Sequence, residues 1–270
     1  MNNKPKIAPL ILAAGQGKRM QSTLPKVMHQ ICGIPMLEHV LRASLKVASC
    51  PGAVLINSSQ NDIRKFLQEN FKSFAICQQN NPRGTADAVA SFAPLFENVK
   101  APTYADAQLL TGNVTVADFV LILYGDVPGV RAETLQTFID FTLKNNSDIA
   151  VIGMTAAQPK GYGRIVKKGS KFVKIVEERD CSELERQITL CNTGVFLAKT
   201  VILFDILNEI SPNNLQHEYY LTDCIPIALR KHLKVDAFEC PNAQEFLGVN
   251  DPEQLKNVEA IMRKNICAEL

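Results

Sequence analysis

The sequence predicts an α/β protein built on a doubly wound, mostly parallel sheet, with a smaller unit of partly antiparallel strands after it. Three observations carry this. Short, continuous apolar runs recur through the first half, as strands covered on both faces should. Helical patterns separate them, and strand–helix–strand alternation builds a parallel sheet. The 270 residues, 46% hydrophobic and 21% charged, are enough for a sizeable core.

The elements follow in order. "IAPLILA" (7–13), "AVLIN" (53–57), "FAIC" (74–77), "DFVLIL" (118–123) and "DIAVIGM" (148–154) read as buried strands. In "PMLEHVLRASLKVA", Leu37, Val40, Leu41, Leu45 and Ala48 share one helical stripe, and Pro35 suits a first turn. "NDIRKFLQEN", "TADAVASFAPLF" and "AETLQTFIDFTLKNN" are the next helices. The mixed, aperiodic segment 97–117 reads as an insertion loop. Short strands at 163–168, 172–178 and 192–198 lie closer in sequence, as antiparallel strands do. Helices at 199–208 and 217–231, a strand at 234–239 and a helix from 252 complete the chain. Asp251-Pro252 is an N-cap and first-turn pair for that last helix.

Several classes are excluded. A net charge of +2 gives no electrostatic footprint for nucleic acid. No apolar run reaches the roughly 18 to 20 residues that span a bilayer, so no membrane insertion is expected. Lys4 and Lys6 before "IAPLILAAG" look like a signal peptide, but a strand ending at glycines explains the same residues better. The eight cysteines contain no CxxC pair and match no zinc spacing. They read as reduced, mostly buried thiols of a cytoplasmic protein.

The most informative stretch is "PLILAAGQGKRMQSTLPKVM", 9–28. Ligands of such sheets bind beyond the carboxyl ends of the strands, and this loop leaves the first one. Glycines there free backbone N–H groups for phosphate oxygens. Two familiar phosphate loops fail. A Walker A motif needs Ser or Thr after Gly17-Lys18, where Arg19 stands, and the dinucleotide fingerprint needs glycine where Met20 stands. What remains is Gly15-x-Gly17-x-Arg19, then Lys26 in "LPK". Amides, an arginine and a lysine suit a triphosphate that loses pyrophosphate, since charge develops on the leaving oxygens. A turn with solvated cations fits the spacing equally well. "LYGDVP" (123–128) places Asp126 at another strand end, where a carboxylate can hold a hard cation or close an Asx-turn.

"LAAGQGKRM" followed by "LPK" resembles the opening of the sugar-nucleotidyltransferases, nearest to uridylyltransferase domains that make UDP-N-acetylglucosamine. The resemblance runs from about 7 to 256 through several ordered motifs. It implies a Rossmann-like nucleotidyltransferase fold in one domain, 1–270, with a nucleotide-binding half at 1–130 and a sugar-binding half at 131–270. It implies that Leu12, Ala13, Ala14, Gly15 and Gly17 hold the nucleotide, with Arg19 and Lys26 acting on its phosphates and Lys18 turned to solvent. "QQNNPRGTADAV" resembles the uracil-reading segment, through Gln78, Gly84 and Thr85. There the spacing from Gln78 to Gly84 is one residue longer than the family's, and Asp87 stands where histidine is frequent. Asp126 and Asn250, in "FLGVND", take the place of the Mg²⁺ ligands. Tyr124, Gly125, Gly163, Glu177, Asn192, Tyr220 and Thr222 fall in the sugar-pocket segments "LYGDVP", "GYGRIV", "IVEERD", "CNTGVF" and "HEYYLTD". Implied substrates are UTP and N-acetylglucosamine 1-phosphate. The family's longer enzyme continues into a left-handed β-helix acetyltransferase, and no hexapeptide repeat occurs in this sequence, so uridylyl transfer without acetyl transfer is expected. The sequence leaves the oligomeric state open.

Overall fold

The computed structural model describes residues 4–169 and 171–268. Parallel strands β1 (Ile7–Leu12), β4 (Ala53–Asn57), β5 (Ala75–Gln79) and β7 (Phe119–Tyr124) form the centre, in the order β7-β1-β4-β5. A two-residue hairpin, β2 (Gln30–Ile31) and β3 (Ile34–Pro35), stands apart from it. Helices α1 (Met36–Leu45), α2 (Asn61–Asn70), α3 (Thr85–Ala90) and α4 (Ala132–Lys144) link or flank these strands. The strand order reverses around β1, because the chain first moves outward to β4 and β5 and later returns on the other side as β7. Ligand clefts form at such switch points.

Beyond β7 the sheet turns antiparallel. β11 (Leu190–Lys199) runs against β7 and against β8 (Ile149–Thr155), and its first residues also meet β9 (Arg164–Lys168). β9 pairs with β10 (Lys171–Val176), while β12 (Val235–Cys240) runs parallel to β8. Short helix α5 (Glu183–Arg186), then α6 (Thr200–Leu207), α7 (Cys224–Arg230) and the long α8 (Pro252–Ala268) complete the fold. The mostly parallel sheet with an antiparallel extension is thus the predicted class. Both faces are covered. Ala8 and Leu10 of β1 pack into one apolar layer with Phe92, Phe204 and Leu221, and Ile7 and Ile11 into the other with Leu41, Phe138 and Phe246. That two-sided burial is why the strands read as unbroken apolar runs.

Several local expectations change. Segment 97–117 carries a strand, β6 (Ala107–Thr111), antiparallel at the edge of β5. Tyr104 ties it down further: its ring stacks on Tyr219 at 4.0 Å and its hydroxyl donates to Leu207 O at 2.6 Å. The edge strand lacked an alternating pattern to reveal it. The helix expected from 217 begins only at Cys224. Tyr219 and Leu221 instead spend their backbone groups on the 83–86 loop, through Tyr219 N–H to Arg83 O, Ala86 N–H to Tyr219 O, and Leu221 N–H to Thr85 Oγ1, all at 2.8 Å. Thr85 therefore does not cap α3 with its hydroxyl. On α1, Leu45 is exposed and Ser44 is buried in its stead. The expected cap of α8 is present: Asp251 Oδ1 accepts Gln254 N–H at 2.9 Å.

Candidate active site

Leu12 and Tyr124 are register partners at the carboxyl ends of β1 and β7. The two ends are locked together, since Gly125 N–H donates to Leu12 O at 2.9 Å and Ala13 N–H to Leu55 O at 3.0 Å. A cavity of about 460 Å³ opens there. Leu12, Ala13, Ala14, Gly15 and Gln16 form one wall, and Gly84 and Thr85 the opposite one. Lys26, Tyr124 and Asp126 lie at the same cavity. Nine predicted residues, Asp126 among them, are therefore brought to one space from three parts of the chain, 12–26, 84–85 and 124–126.

Gly17 bends the loop inward with φ +61°, a left-handed value that favours glycine. A Cβ there would lie 2.5 Å from Lys26 Cβ, so the glycine also makes room for the lysine. Lys26 reaches into the site: its ammonium donates to Asp126 Oδ2, and to Asn250 Oδ1 at 3.1 Å. The Lys26 and Asp126 side chains are only 11% and 18% exposed, which strengthens their attraction relative to open water. Asp126, in the middle of the chain, and Asn250, near its C-terminal end, are joined because Val249 N–H donates to Asp126 O at 2.9 Å. Asn250 N–H is in turn held by Gln254 Oε1 at 2.8 Å, leaving the Asn250 side chain directed at Lys26.

This geometry tests the fit of a metal. A carboxylate oxygen and an amide oxygen converge on one cationic centre, the Lys26 ammonium. Both are the hard oxygen donors that Mg²⁺ takes. No cluster of three or more His, Cys, Asp or Glu suited to a metal occurs among the described residues. An ion held by this pair would complete its shell with phosphate oxygens and water, as Mg²⁺ commonly does.

Tyr124 lines the cavity and connects it to the second cluster. Its phenol is pushed up by burial, and further by the carboxylates of Glu177 and Asp126, so it stays a neutral donor. Gly194, with φ +84°, sits at an irregularity of β11, and a Cβ there would strike the Tyr124 ring at 2.5 Å. Around it gather five predicted residues. Glu177 Oε1 accepts from Thr222 Oγ1 at 2.9 Å, and burial raises the Glu177 carboxyl despite that bond. Gly163 packs so closely that a Cβ would lie 3.4 Å from Glu177 Oε2. Asn192 is tied in by its N–H to Gly163 O at 2.8 Å, and its side chain accepts Gly194 N–H at 3.1 Å. Tyr220 is buried nearby, its hydroxyl accepting from Gln216.

Three expectations are corrected. Gln78 does not face the cavity; its amide is held by Arg64 at 2.6 Å and Asn80 at 3.1 Å. Gln79 lines the cavity instead, because successive residues of β5 point to opposite faces. Its amide donates to Asp87 Oδ2 at 2.6 Å, and Asp87 is fully buried, its carboxyl raised by burial. The one-residue excess in spacing was the signal: counting from Gln79 removes it. Arg19 is exposed beside Lys18 and lines a different cleft of about 740 Å³, with Gly161, Tyr162 and Gly248. Gly125 is buried with its N–H spent on Leu12, so it offers no donor to a ligand. Glu218, inside the "HEYYLTD" segment but not singled out there, also lines the cavity.

Asp223 adds a pH-sensitive group behind the second cluster. Burial first, and then the Asp180 charge, push its carboxyl to about 6. A carboxyl whose folded value is raised stabilises the fold at low pH and loses that contribution as pH rises through the folded value. Asp223→Asn is therefore expected to raise stability at pH 7.5 by about 1 kcal/mol, after screening of a half-exposed group, and to be neutral near pH 4. Urea midpoints of both proteins at the two pH values check this; equal midpoint differences at both would contradict it.

Known proteins place the chain. The family model for the MobA-like NTP transferase domain matches residues 9–173. Bifunctional protein GlmU of Bartonella bacilliformis is 36% identical over 261 residues, 97% of this chain and 54% of that protein. GlmU of Cereibacter sphaeroides is 37% identical over 258 residues, 96% of this chain and 52% of that protein. The chain spans about half the length of the curated relatives it matches. Among solved structures, a putative glucose-1-phosphate thymidylyltransferase from Bacillus anthracis superposes with TM-score 0.73 at 17% identity, covering 95% of each chain. UDP-glucose pyrophosphorylase complexed with UDP-glucose gives 0.73 at 16% identity, over 97% of this chain and all of that one. The fold is thus that of the sugar-phosphate nucleotidyltransferases, and the chain belongs to the MobA-like NTP transferase domain family.

Proposed function

We propose that the protein transfers UMP from UTP to N-acetylglucosamine 1-phosphate, giving UDP-N-acetylglucosamine and pyrophosphate for cell-envelope precursors. One observation carries the reading: Lys26, Asp126 and Asn250 converge beside the cavity walled by the glycine loop and Gly84-Thr85. The resemblance of the ordered motifs to uridylyltransferase domains that make UDP-N-acetylglucosamine supports the choice of UTP and an N-acetylated sugar, and the GlmU relatives support the family.

The sugar phosphate oxygen attacks the α-phosphorus of UTP, and the bond from that phosphorus to the bridging oxygen of pyrophosphate breaks. The attacking oxygen is already anionic near neutral pH, so no side chain need act as nucleophile or base. The protein's task is positioning and charge. Gly15 and the strand end before it approach the nucleotide with backbone alone. Lys26 offsets phosphate charge. Gln79 and Thr85 face the base, while Glu177, Asn192 and Thr222 accept or donate to sugar hydroxyls and the N-acetyl group. Mg²⁺, held by Asp126 and Asn250, would supply neutralisation of charge on the phosphates. In taking up such an ion, Lys26 would exchange its two oxygen partners for phosphate oxygens. UTP as substrate makes the cytoplasm the expected compartment.

The test is a matrix of UTP, CTP, dTTP, ATP and GTP against the 1-phosphates of N-acetylglucosamine, N-acetylgalactosamine and glucose, with Mg²⁺, read as pyrophosphate release. The largest kcat/KM is expected for UTP with N-acetylglucosamine 1-phosphate. A clear preference for another pair replaces the substrate assignment, and silence across the matrix removes the enzymatic reading.

A further inference from the structure

We propose that the buried Arg164 and its part-exposed partner Glu178 form a positioning pair that sets the sugar side of the site, a role that rests on the uridylyl-transfer reading. Arg164 is the first residue of β9 and is 2% exposed, at a place where the strand pattern would take an apolar side chain. A guanidinium withdrawn from water is strongly unfavourable unless it is paired and hydrogen-bonded. Here the pairing is directional. Its Nη2 contacts Glu178 Oε2 at 2.8 Å, and its Nη1 donates to Tyr162 O. The same Glu178 oxygen accepts Gly161 N–H at 3.3 Å. Arginine and glutamate together thus grip the Gly161–Tyr162–Gly163 turn at two backbone points, an amide and a carbonyl.

What the turn carries explains why the grip matters. Gly161 has φ +92° and no atom within 4 Å of where a Cβ would stand, so packing does not hold it. Gly163 lies against the Glu177 carboxylate and accepts Asn192 N–H at 2.8 Å. Glu177 and Glu178 are neighbours leading into one 3-10 turn, Glu178–Asp180. One faces Thr222 and the Gly163 backbone, the other the Arg164 guanidinium. Moving Glu178 therefore moves Glu177, and loosening Arg164 loosens Gly163 and Asn192. The nucleotide wall of Gly15, Gln79, Gly84 and Thr85 comes from other elements: the loop after β1, the end of β5 and the start of α3. The pair positions sugar phosphate and leaves the nucleotide alone.

The measurement uses Glu178→Gln and Arg164→Lys in the full chain. Glu178→Gln keeps an acceptor for Gly161 but loses the charge partner of Arg164; Arg164→Lys keeps the charge but loses the two-point fork. Both are expected to raise KM for the sugar 1-phosphate by about tenfold while KM for UTP stays within about twofold. Hydrogen exchange of the peptide spanning 159–164 is expected to quicken at least about fivefold more than that of the peptide spanning 119–124, so that the loosening is local to the turn whatever the fall in the urea midpoint. The exchange arm needs no substrate, so it stands apart from the function assigned above. If the parent protein has no turnover, that function fails, and the sugar phosphate dissociation constant replaces KM. Unchanged exchange in both variants overturns the proposal, as do KM values for UTP and sugar phosphate that rise in parallel. Should Arg164→Lys not fold, Glu178→Gln decides alone.

Discussion

Asp126→Asn lowers pyrophosphate release by about 10³-fold or more while the protein stays folded; this is the largest activity effect expected of any single substitution. The change removes one charge and little volume. Its amide still accepts from Lys26, so the local shape persists, and the stability change is about 1 kcal/mol, the net worth of one polar interaction. Activity responds differently. Among the described residues the Asp126 carboxylate is the one negative charge paired with Lys26, and with Asn250 it forms the oxygen pair suited to Mg²⁺. An amide in its place binds a divalent ion far more weakly, and charge stabilisation of the leaving pyrophosphate goes with it. Pyrophosphate release across a Mg²⁺ titration, with thermal melts alongside, checks the claim. A well-folded Asn variant within tenfold of the parent would remove Asp126 from the proposed mechanism.

Gly84→Ala is the substitution expected to cost the fold most among those near the site. Gly84 has φ +119° and ψ 178°, a region open essentially to glycine alone. Space forbids a side chain as well: a Cβ would lie 2.4 Å from Tyr219 O and 2.7 Å from Tyr219 N. Those Tyr219 atoms are the ones that bond Ala86 and Arg83, so relief of the clash breaks the bridge between the 83–86 loop and the 219–222 segment. Strain and lost hydrogen bonds together cost about 3 kcal/mol or more, lowering Tm by roughly 5–10 °C. Activity falls further than stability, because Thr85 and Gln79 lie on one side of that bridge and Tyr220 and Thr222 on the other. Gly15→Ala is the contrast: its φ is not positive and nothing lies within 4 Å, so Tm should hold and any loss should be in UTP binding. Calorimetric melts and UTP titrations of both variants separate the two cases; equal Tm values for them would refute the argument.

Much of this was legible in the sequence because its causes are local. A strand covered on both faces must be an unbroken apolar run, so β1, β4, β7 and β8 announced themselves. Asp251-Pro252 named the start of α8 because capping involves atoms three residues apart. The glycine loop and Asp126 stood out because each follows a buried strand, and Asn250 because "FLGVND" resembles a family motif just before α8. The misreadings have one cause, which is contact across the chain. β6 exists because β5 has an open edge, and 217–223 is not helical because its backbone is claimed by the 83–86 loop. Gln78 and Gln79 are adjacent and chemically identical, and only the face that β5 turns to the cavity separates them.

The sequence alone therefore determined the layered α/β class and the phosphate-loop candidate, and offered Asp126 and Asn250 as candidate ligands of a hard cation, since periodicity and motif chemistry lie within short windows. The tertiary structure decided which of those residues meet. It joined Lys26 to Asp126 and Asn250 across the switch point, sent Arg19 to a separate cleft, and buried Arg164 against Glu178. Such meetings depend on strand order and register, and these are set by the packing of the whole core rather than by any stretch of it.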